Sequence, residues 1–238
     1  MADDYACLFP SMIRSWRQNF NRPDAFFGYV QLSTWCPGHP NVTWPSRVMG
    51  YMRDVQLLAQ SSPFSAYATN ADHGAGCDVH PPSKQFCAKR LAASALAIVY
   101  QKPIAWRSPS YAYAVSPANG VLTIWLNDVT PAGLVQINEP YNLPGLGAGV
   151  NCTALNQAYG DGTCAWAALQ FNDAAASWVN ATVSIAPSAQ QMVLTAPPPT
   201  GSTAIIASSY GYGAIPMMTV YLADRDLPVL TWEKNITA

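Results

Sequence analysis

FSAYATNADHGAGCDVHPPSKQFCAKRLAASALAIVY, residues 64–100, is the stretch on which the fold turns. Its opening, Phe64 to Asp72, is aromatic and apolar and runs into a glycine-rich loop, which predicts a buried strand. Its end, Lys84 to Tyr100, is rich in Ala and Leu, residues of high helix propensity, and Pro103 stops it. Strand, reactive loop and helix make one step of an α/β layer.

The residues before it repeat that grammar. SMIRSWRQNF (11–20) spaces Met12, Trp16 and Phe20 on one helical face, with Ser11 after Pro10 as the expected cap. FFGYVQLS (26–33) reads as a buried strand. SRVMGYMRDVQLLAQ (46–60) returns to helical spacing, with Val48, Met52, Val55 and Leu58 or Ala59 expected inside. After Pro103 the pattern changes. YAYAVSPANGVLTIWL alternates about an Asn119–Gly120 turn, a hairpin signal, and AWAALQF, ATVSIA, QMVLTA, TAIIASS and MTVYLA follow as strand candidates between Pro, Gly and Asn clusters. The reading is an α/β portion over 1–102 and an antiparallel, sandwich-like β portion over 103–238.

Composition narrows the function. The chain has 238 residues, half of them hydrophobic and only 11% charged, with a net charge of −1. It is globular, and the lack of a basic run argues against nucleic acid or an anionic membrane as its main partner. The longest apolar run, Leu91 to Tyr100, is about half the ~20 residues a membrane helix needs. Sequons at Asn41, Asn151, Asn180 and Asn235 accompany an even six cysteines, which points to a secreted, extracellular or lysosomal glycoprotein with disulfides. The first residues, MADDYACLFP, lack the positive charge and apolar core of a signal peptide, so the natural start is expected upstream of Met1.

The dense cluster of reactive side chains is ADHGAGCDVHPPSKQFC, residues 71–87, in the loop after a strand, where open α/β sheets keep their sites. One reading makes His80 a general base oriented by Asp78 or Asp72; the other makes it a loop histidine beside a helix start. A zinc reading through His73, Cys77, His80 and Cys87 fits no common ligand spacing, and no metal is expected. His39 reads as a solvated loop residue, and Asp224 with Asp226 as turn chemistry. With only Glu139 and Glu233 as glutamates, a two-carboxylate glycosidase is not promoted. The Trp and Tyr residues read mostly as core, a few as candidates for a sugar-binding face.

Several blocks together resemble the C-terminal half of sialate O-acetylesterases, a branch of the SGNH-hydrolase superfamily. They are CLFPSMIRSWR, FFGYVQLS, MRDVQLLAQSSP, DHGAGCDVHPPSKQFCAKRLAASALA and the closing SYGYGAIPMMTVYLADRDLPVLTW. The resemblance implies the C-terminal part of a three-layer α/β hydrolase domain ahead of the β-rich portion, and it makes His80 the catalytic histidine. The superfamily's D-x-x-H places Cys77 where an acid is expected, so Asp78 is the first choice of orienting acid and Asp72 the second. The family's G-[DQ]-S nucleophile block does not occur in this chain.

The resulting expectation is a component of a carbohydrate (sialate) O-acetylesterase that supplies histidine and aspartate without a cofactor. The serine would come from an N-terminal segment or a partner chain, and the substrate is an acetylated sugar. The alternative is a non-catalytic extracellular structural or carbohydrate-binding glycoprotein on an esterase-derived fold. Proximity pairs Cys77 with Cys87 and Cys152 with Cys164, leaving Cys7 and Cys36 for each other or for the companion.

Overall fold

A computed structural model describes residues 2–35, 47–76, 78–138, 141–142 and 167–236. The chain is mixed α/β with several antiparallel sheets. The helices are α1 (Ala2–Asn19), α2 (Val48–Leu57), continued by a 3₁₀ turn (Leu58–Ser61), and α3 (Gln85–Ile98). Strands β1 (Phe27–Gln31) and β2 (Ser65–Thr69) pair in parallel, Phe27 opposite Ser65 through Gln31 opposite Thr69. The β-rich remainder comprises β3 (Ser110–Ala118), β4 (Val121–Asn127), β5 (Leu134–Gln136), β6 (Ala167–Phe171), β7 (Trp178–Asn180), β8 (Thr182–Ile185), β9 (Gln191–Thr195), β10 (Ile205–Tyr210), β11 (Val220–Leu222) and β12 (Trp232–Asn235). These form two four-stranded sheets, β3-β4-β9-β8 and β12-β10-β6-β7, with a small β11-β5 pair.

The expected elements appear, but two helices turn a different face inward. In α1 the buried seam is Phe9, Ile13 and Arg17, one residue out of phase with the expected Met12, Trp16 and Phe20, of which Trp16 and Phe20 are 52% and 77% exposed. Nor does Ser11 cap the helix. α1 begins at Ala2 with Asp3 and Asp4 in its first turn, where carboxylates offset the N-terminal dipole, and it runs through Pro10. The Ser11 hydroxyl instead donates to the Cys7 carbonyl at 2.7 Å.

In α2 the inward face carries Met49, Arg53, Val55 and Gln56. Of the residues expected inside, Val55 and Ala59 are buried, Val48 and Met52 are half-buried, and Leu58, the alternative to Ala59, is exposed. Arg53 is buried because it has carbonyl partners: Nε donates to Leu32 O at 2.9 Å, Nη2 to Ser33 O at 2.7 Å and Nη1 to Gly213 O at 2.9 Å. Burial pushes its guanidinium below the ordinary arginine range. Five donors in a rigid fork suit such a carbonyl cage. It ties the end of β1 to a loop near the C-terminus.

Two apolar clusters hold the fold. The larger is shared by both four-stranded sheets and the β5–β11 pair, around Leu122, Ile124, Leu169, Phe171, Met192 and Trp232. The Asn119–Gly120 hairpin is present, with Gly120 at φ +86, a conformation that a side chain resists. The second cluster joins Phe9 and Ile13 of α1 to Tyr29 of β1, Ala59, Tyr67 of β2 and Leu230. Leu230 therefore inserts a C-terminal side chain among the helices. Its backbone N–H also donates to Pro109 O at 2.8 Å.

Candidate functional site

β2 is buried along its whole length, and at its carboxyl end the chain enters the 70–84 loop before climbing α3. The two ends of this loop are tied by charge. The Arg90 guanidinium, on the second turn of α3, donates to Asp72 through Nη1 to Oδ1 at 2.7 Å and Nη2 to Oδ2 at 2.8 Å. It also donates to Thr69 O at 2.9 Å, and its Nε donates to Asp226 O at 2.8 Å. The Tyr221 hydroxyl completes the set, donating to Asp72 Oδ2 at 3.0 Å.

The Asp72 and Arg90 side chains are 0% and 3% exposed. Burial alone would raise the Asp72 carboxyl, but the bidentate guanidinium holds it far below the carboxylate range. Arg90 is correspondingly raised against its own desolvation by Asp72. Burial and then the Asp72 charge push the Tyr221 phenol up.

Asp72, the second-choice orienting acid, is thus engaged with Arg90 and Tyr221. Its neighbour His73 is buried, with its ring centroid 3.4 Å from Phe86 and 4.4 Å from Tyr141. His73 Nδ1 lies 2.9 Å from Asp72 Oδ2, which makes the histidine a further neighbour of the buried carboxylate. Gly74 follows because nothing larger fits: a Cβ there would lie 2.0 Å from Thr34 Oγ1, beyond the end of β1. The crossing is fixed by Asn142, which accepts from Gly74 N at 2.6 Å and donates to Ala71 O at 2.8 Å and Pro216 O at 2.5 Å.

His80 and Asp78 meet further along the loop. His80 Nδ1 is 3.2 Å from Asp78 Oδ1, and the His80 backbone N–H donates to the same oxygen at 2.9 Å. The backbone N–H first, and the ring second, hold the Asp78 carboxyl below its ordinary value. A proton on Nδ1 shared with Asp78 leaves Nε2 free as an acceptor, the tautomer a general base needs. The pair is open to solvent, its side chains 83% and 63% exposed.

The other candidate residues separate. Asp224 accepts from Thr130 Oγ1 at 2.8 Å while Asp226 faces Arg90, so the D-x-D pair serves two anchors. Among the described residues no three His, Cys, Asp or Glu side chains gather as a metal would require. Cys7 and Cys87 are free thiols, Cys87 donating to Lys84 O at 3.1 Å. Cys36, Cys77, Cys152, Cys164, His39, Asn41, Glu139 and Asn151 lie outside the described residues. Asn180 and Asn235 are exposed, on β7 and β12. No helix among the described residues is long and apolar enough to cross a membrane.

Reading the sequence alone missed Arg90, Tyr221, Asn142 and Arg53. Only the first carried a signal, an arginine on the face of a helix otherwise rich in Ala and Leu.

The fold of the chain is shared with a solved structure. A crystal structure of a carbohydrate acetylesterase from Xanthomonas citri superposes with a TM-score of 0.69 at 20% identity, covering 97% of this chain and 46% of that one. No family model matches the chain. Among curated proteins it is similar to sialate O-acetylesterase of Mus musculus, 30% identical over 122 residues, 45% of this chain and 22% of the relative. Sialate O-acetylesterase of Rattus norvegicus is 30% identical over 135 residues with the same shares. The chain is therefore related to sialate O-acetylesterases and spans 22% of the length of these curated relatives.

Proposed function

We propose that this chain is the histidine- and aspartate-bearing component of a carbohydrate O-acetylesterase of the sialate type. The observation that carries the reading is the His80–Asp78 contact at the carboxyl end of parallel strand β2, in a chain related to those enzymes. His80 Nε2 takes the proton from a serine hydroxyl as its oxygen attacks the acetyl carbonyl. The imidazolium, held by Asp78, returns the proton to the departing sugar oxygen. His80 then activates the water that releases acetate.

The serine and the oxyanion donors come, in this reading, from a companion: an N-terminal segment of the same esterase or another chain. The open surface of the α/β portion supports this. Within the described residues β1 pairs only with β2, whereas parallel sheets are normally covered and paired on all sides. Leu96 of α3, Val99 and Tyr100 just after it, Trp16 of α1 and Phe20 just after it are exposed, apolar surface suited to a neighbouring strand and helix. Residues 1–102 would then be the C-terminal part of a three-layer domain and 103–238 a β-sandwich accessory domain. The compartment that suits the sequons and cysteines is secreted, extracellular or lysosomal. Oxidation there would convert the Cys7 and Cys87 thiols of this structure into disulfides, Cys87 with Cys77 and Cys7 with Cys36 or the companion, alongside Cys152 with Cys164.

Fluorophosphonate labelling of the natively purified protein tests this. Label on a serine of a companion, lost on denaturation, is the expected result, and His80→Ala should abolish deacetylation while the assembly persists. A folded assembly that takes no label, or unchanged turnover in the variant, overturns the reading in favour of a non-catalytic structural or sugar-binding glycoprotein.

A further inference from the structure

The sheet β3-β4-β9-β8 has an outer face that its inner packing does not explain. Leu122 and Ile124 of β4 and Met192 and Leu194 of β9 are fully buried against the main core. The residues between them therefore point away from that core. On β3 the register with β4 jumps between Tyr111–Leu126 and Tyr113–Trp125, so Ala112 is the extra residue of a bulge. The bulge sends two aromatics to opposite faces. Tyr111 packs inward, 5.6 Å from Trp232. Tyr113 turns outward, 52% exposed, with its ring 5.0 Å from Trp125 and within 10° of parallel. A bulge that re-aims an exposed tyrosine onto a half-buried tryptophan is a built feature.

The surroundings of this ring pair are neutral. Gln191 lies opposite Trp125, Val193 opposite Thr123, and Ser184 opposite Val193. None of the four strands contains Asp, Glu, Lys or Arg, whereas β12 of the other large sheet carries Glu233 and Lys234. Solvated sheet faces ordinarily alternate polar side chains outward, with charge among them. Here the outward polar groups are hydroxyls and one amide, flanking a flat aromatic platform.

We propose that this face, centred on Tyr113 and Trp125, binds a neutral carbohydrate chain. The C–H side of a sugar ring packs on an aromatic π-face, whose quadrupole is negative. The sugar's hydroxyls are matched by Thr123, Ser184 and Gln191. A charge-free face offers nothing to hold an anionic polymer. A self-associating face would be more continuously apolar than this mixture of rings and hydroxyls. The assignment stands on the sheet alone and is independent of the His80 reading.

Native electrophoresis through gels containing soluble xylan, galactomannan or mixed-linkage β-glucan tests it, with polygalacturonate as the charged control. At least one neutral polysaccharide should retard the protein and polygalacturonate should not. Tyr113→Ala or Trp125→Ala should weaken binding about tenfold, and Tyr113→Phe, which keeps the ring, should preserve it. Val193→Lys leaves both rings in place and should also weaken binding, which guards against an unfolded alanine variant. Absence of retardation by all three neutral polymers overturns the proposal. So does equal retardation of folded variants, or sedimentation showing a dimer that these substitutions dissolve. Hydrolysis of a small soluble acetyl ester, measured alongside, reports only on His80, so the two readings fail separately.

Discussion

Replacing Asp72 by Asn removes one charge from the anchor under the loop and leaves its shape almost unchanged. In the native protein both carboxylate oxygens accept from Arg90, at 2.7 and 2.8 Å, and Oδ2 also accepts from Tyr221 at 3.0 Å. An asparagine offers one acceptor oxygen and turns an NH₂ toward a donor. Removing one partner of a buried pair costs about 3–5 kcal/mol, because the surviving charge is left in low dielectric. Arg90 keeps the Thr69 and Asp226 carbonyls, which places the loss near the lower end, about 3 kcal/mol. With a urea slope of about 3 kcal/mol/M, the midpoint should fall by about 1 M.

The same group sets an acid limb. Its folded pKa is depressed, so the unfolded chain binds the extra proton first, near its ordinary value of about 3.9. The contribution is therefore complete above that value and is lost as pH falls through the folded pKa. Asp72→Asn should flatten the fall in stability below about pH 4. Urea unfolding of Asp72→Asn, Arg90→Met and the double variant, repeated down the acid range, measures both effects. The double variant should lose about 2 kcal/mol less than the sum of the singles. Additive losses, or a single-variant loss under about 1 kcal/mol, would refute the anchor.

Three further outcomes follow from single contacts. Gly74→Ala should destabilise by about 1–3 kcal/mol through overpacking, and adding Thr34→Ala should recover part of it, because Oγ1 and Cγ2 of Thr34 are the nearest clashing atoms; thermal melts of the pair check this. The Tyr210 hydroxyl, its pKa pushed up to about 12 by burial, accepts from the backbone N–H groups of Thr219 at 2.9 Å and Val220 at 3.0 Å. Tyr210→Phe should therefore cost about 2 kcal/mol or more by orphaning two buried donors, read from chemical denaturation. Under the proposed function, Asp78→Asn in the natively purified assembly should lower deacetylation by about 10²–10⁴ while shifting stability by less than about 0.5 kcal/mol, read from turnover and melting together.

The secondary structure was largely legible because each helix and most strands carry their own period and punctuation. Gln85–Ile98 is rich in good helix formers and Val121–Asn127 alternates cleanly, so neither depends on distant contacts to be recognised. The buried faces of α1 and α2 were less legible. Trp16 and Phe20 look like core residues by type, yet Arg17 and Arg53 occupy the inside because carbonyls from other elements reach them. That information sits in residue 25, eight positions from Arg17, and in residues 32, 33 and 213, which are 20 to 160 positions from Arg53. The His80–Asp78 pairing was legible since both members lie in one short turn. Arg90 and Tyr221 were not, as Asp72 and Tyr221 are 149 residues apart.

The distribution of perturbed groups shows how the loop divides its work. Strong pKa perturbation ordinarily marks a catalytic cleft, and around this loop it falls on Asp72, Arg90 and Tyr221. All three have their hydrogen-bonding capacity engaged by one another and by backbone, so none is free to exchange a proton with a substrate. Asp78 is held below its ordinary value first by the His80 backbone N–H, and water still reaches it. A general base needs both a fixed position and an unfilled lone pair, and the loop separates the two requirements. Rigidity comes from the buried anchor at its ends, while the free nitrogen stands at its exposed middle. A companion surface closing over His80 would expel that water, lower the local dielectric and strengthen the Asp78 contact. Catalytic strength would then arise on assembly, from a pair that the isolated loop already holds in register.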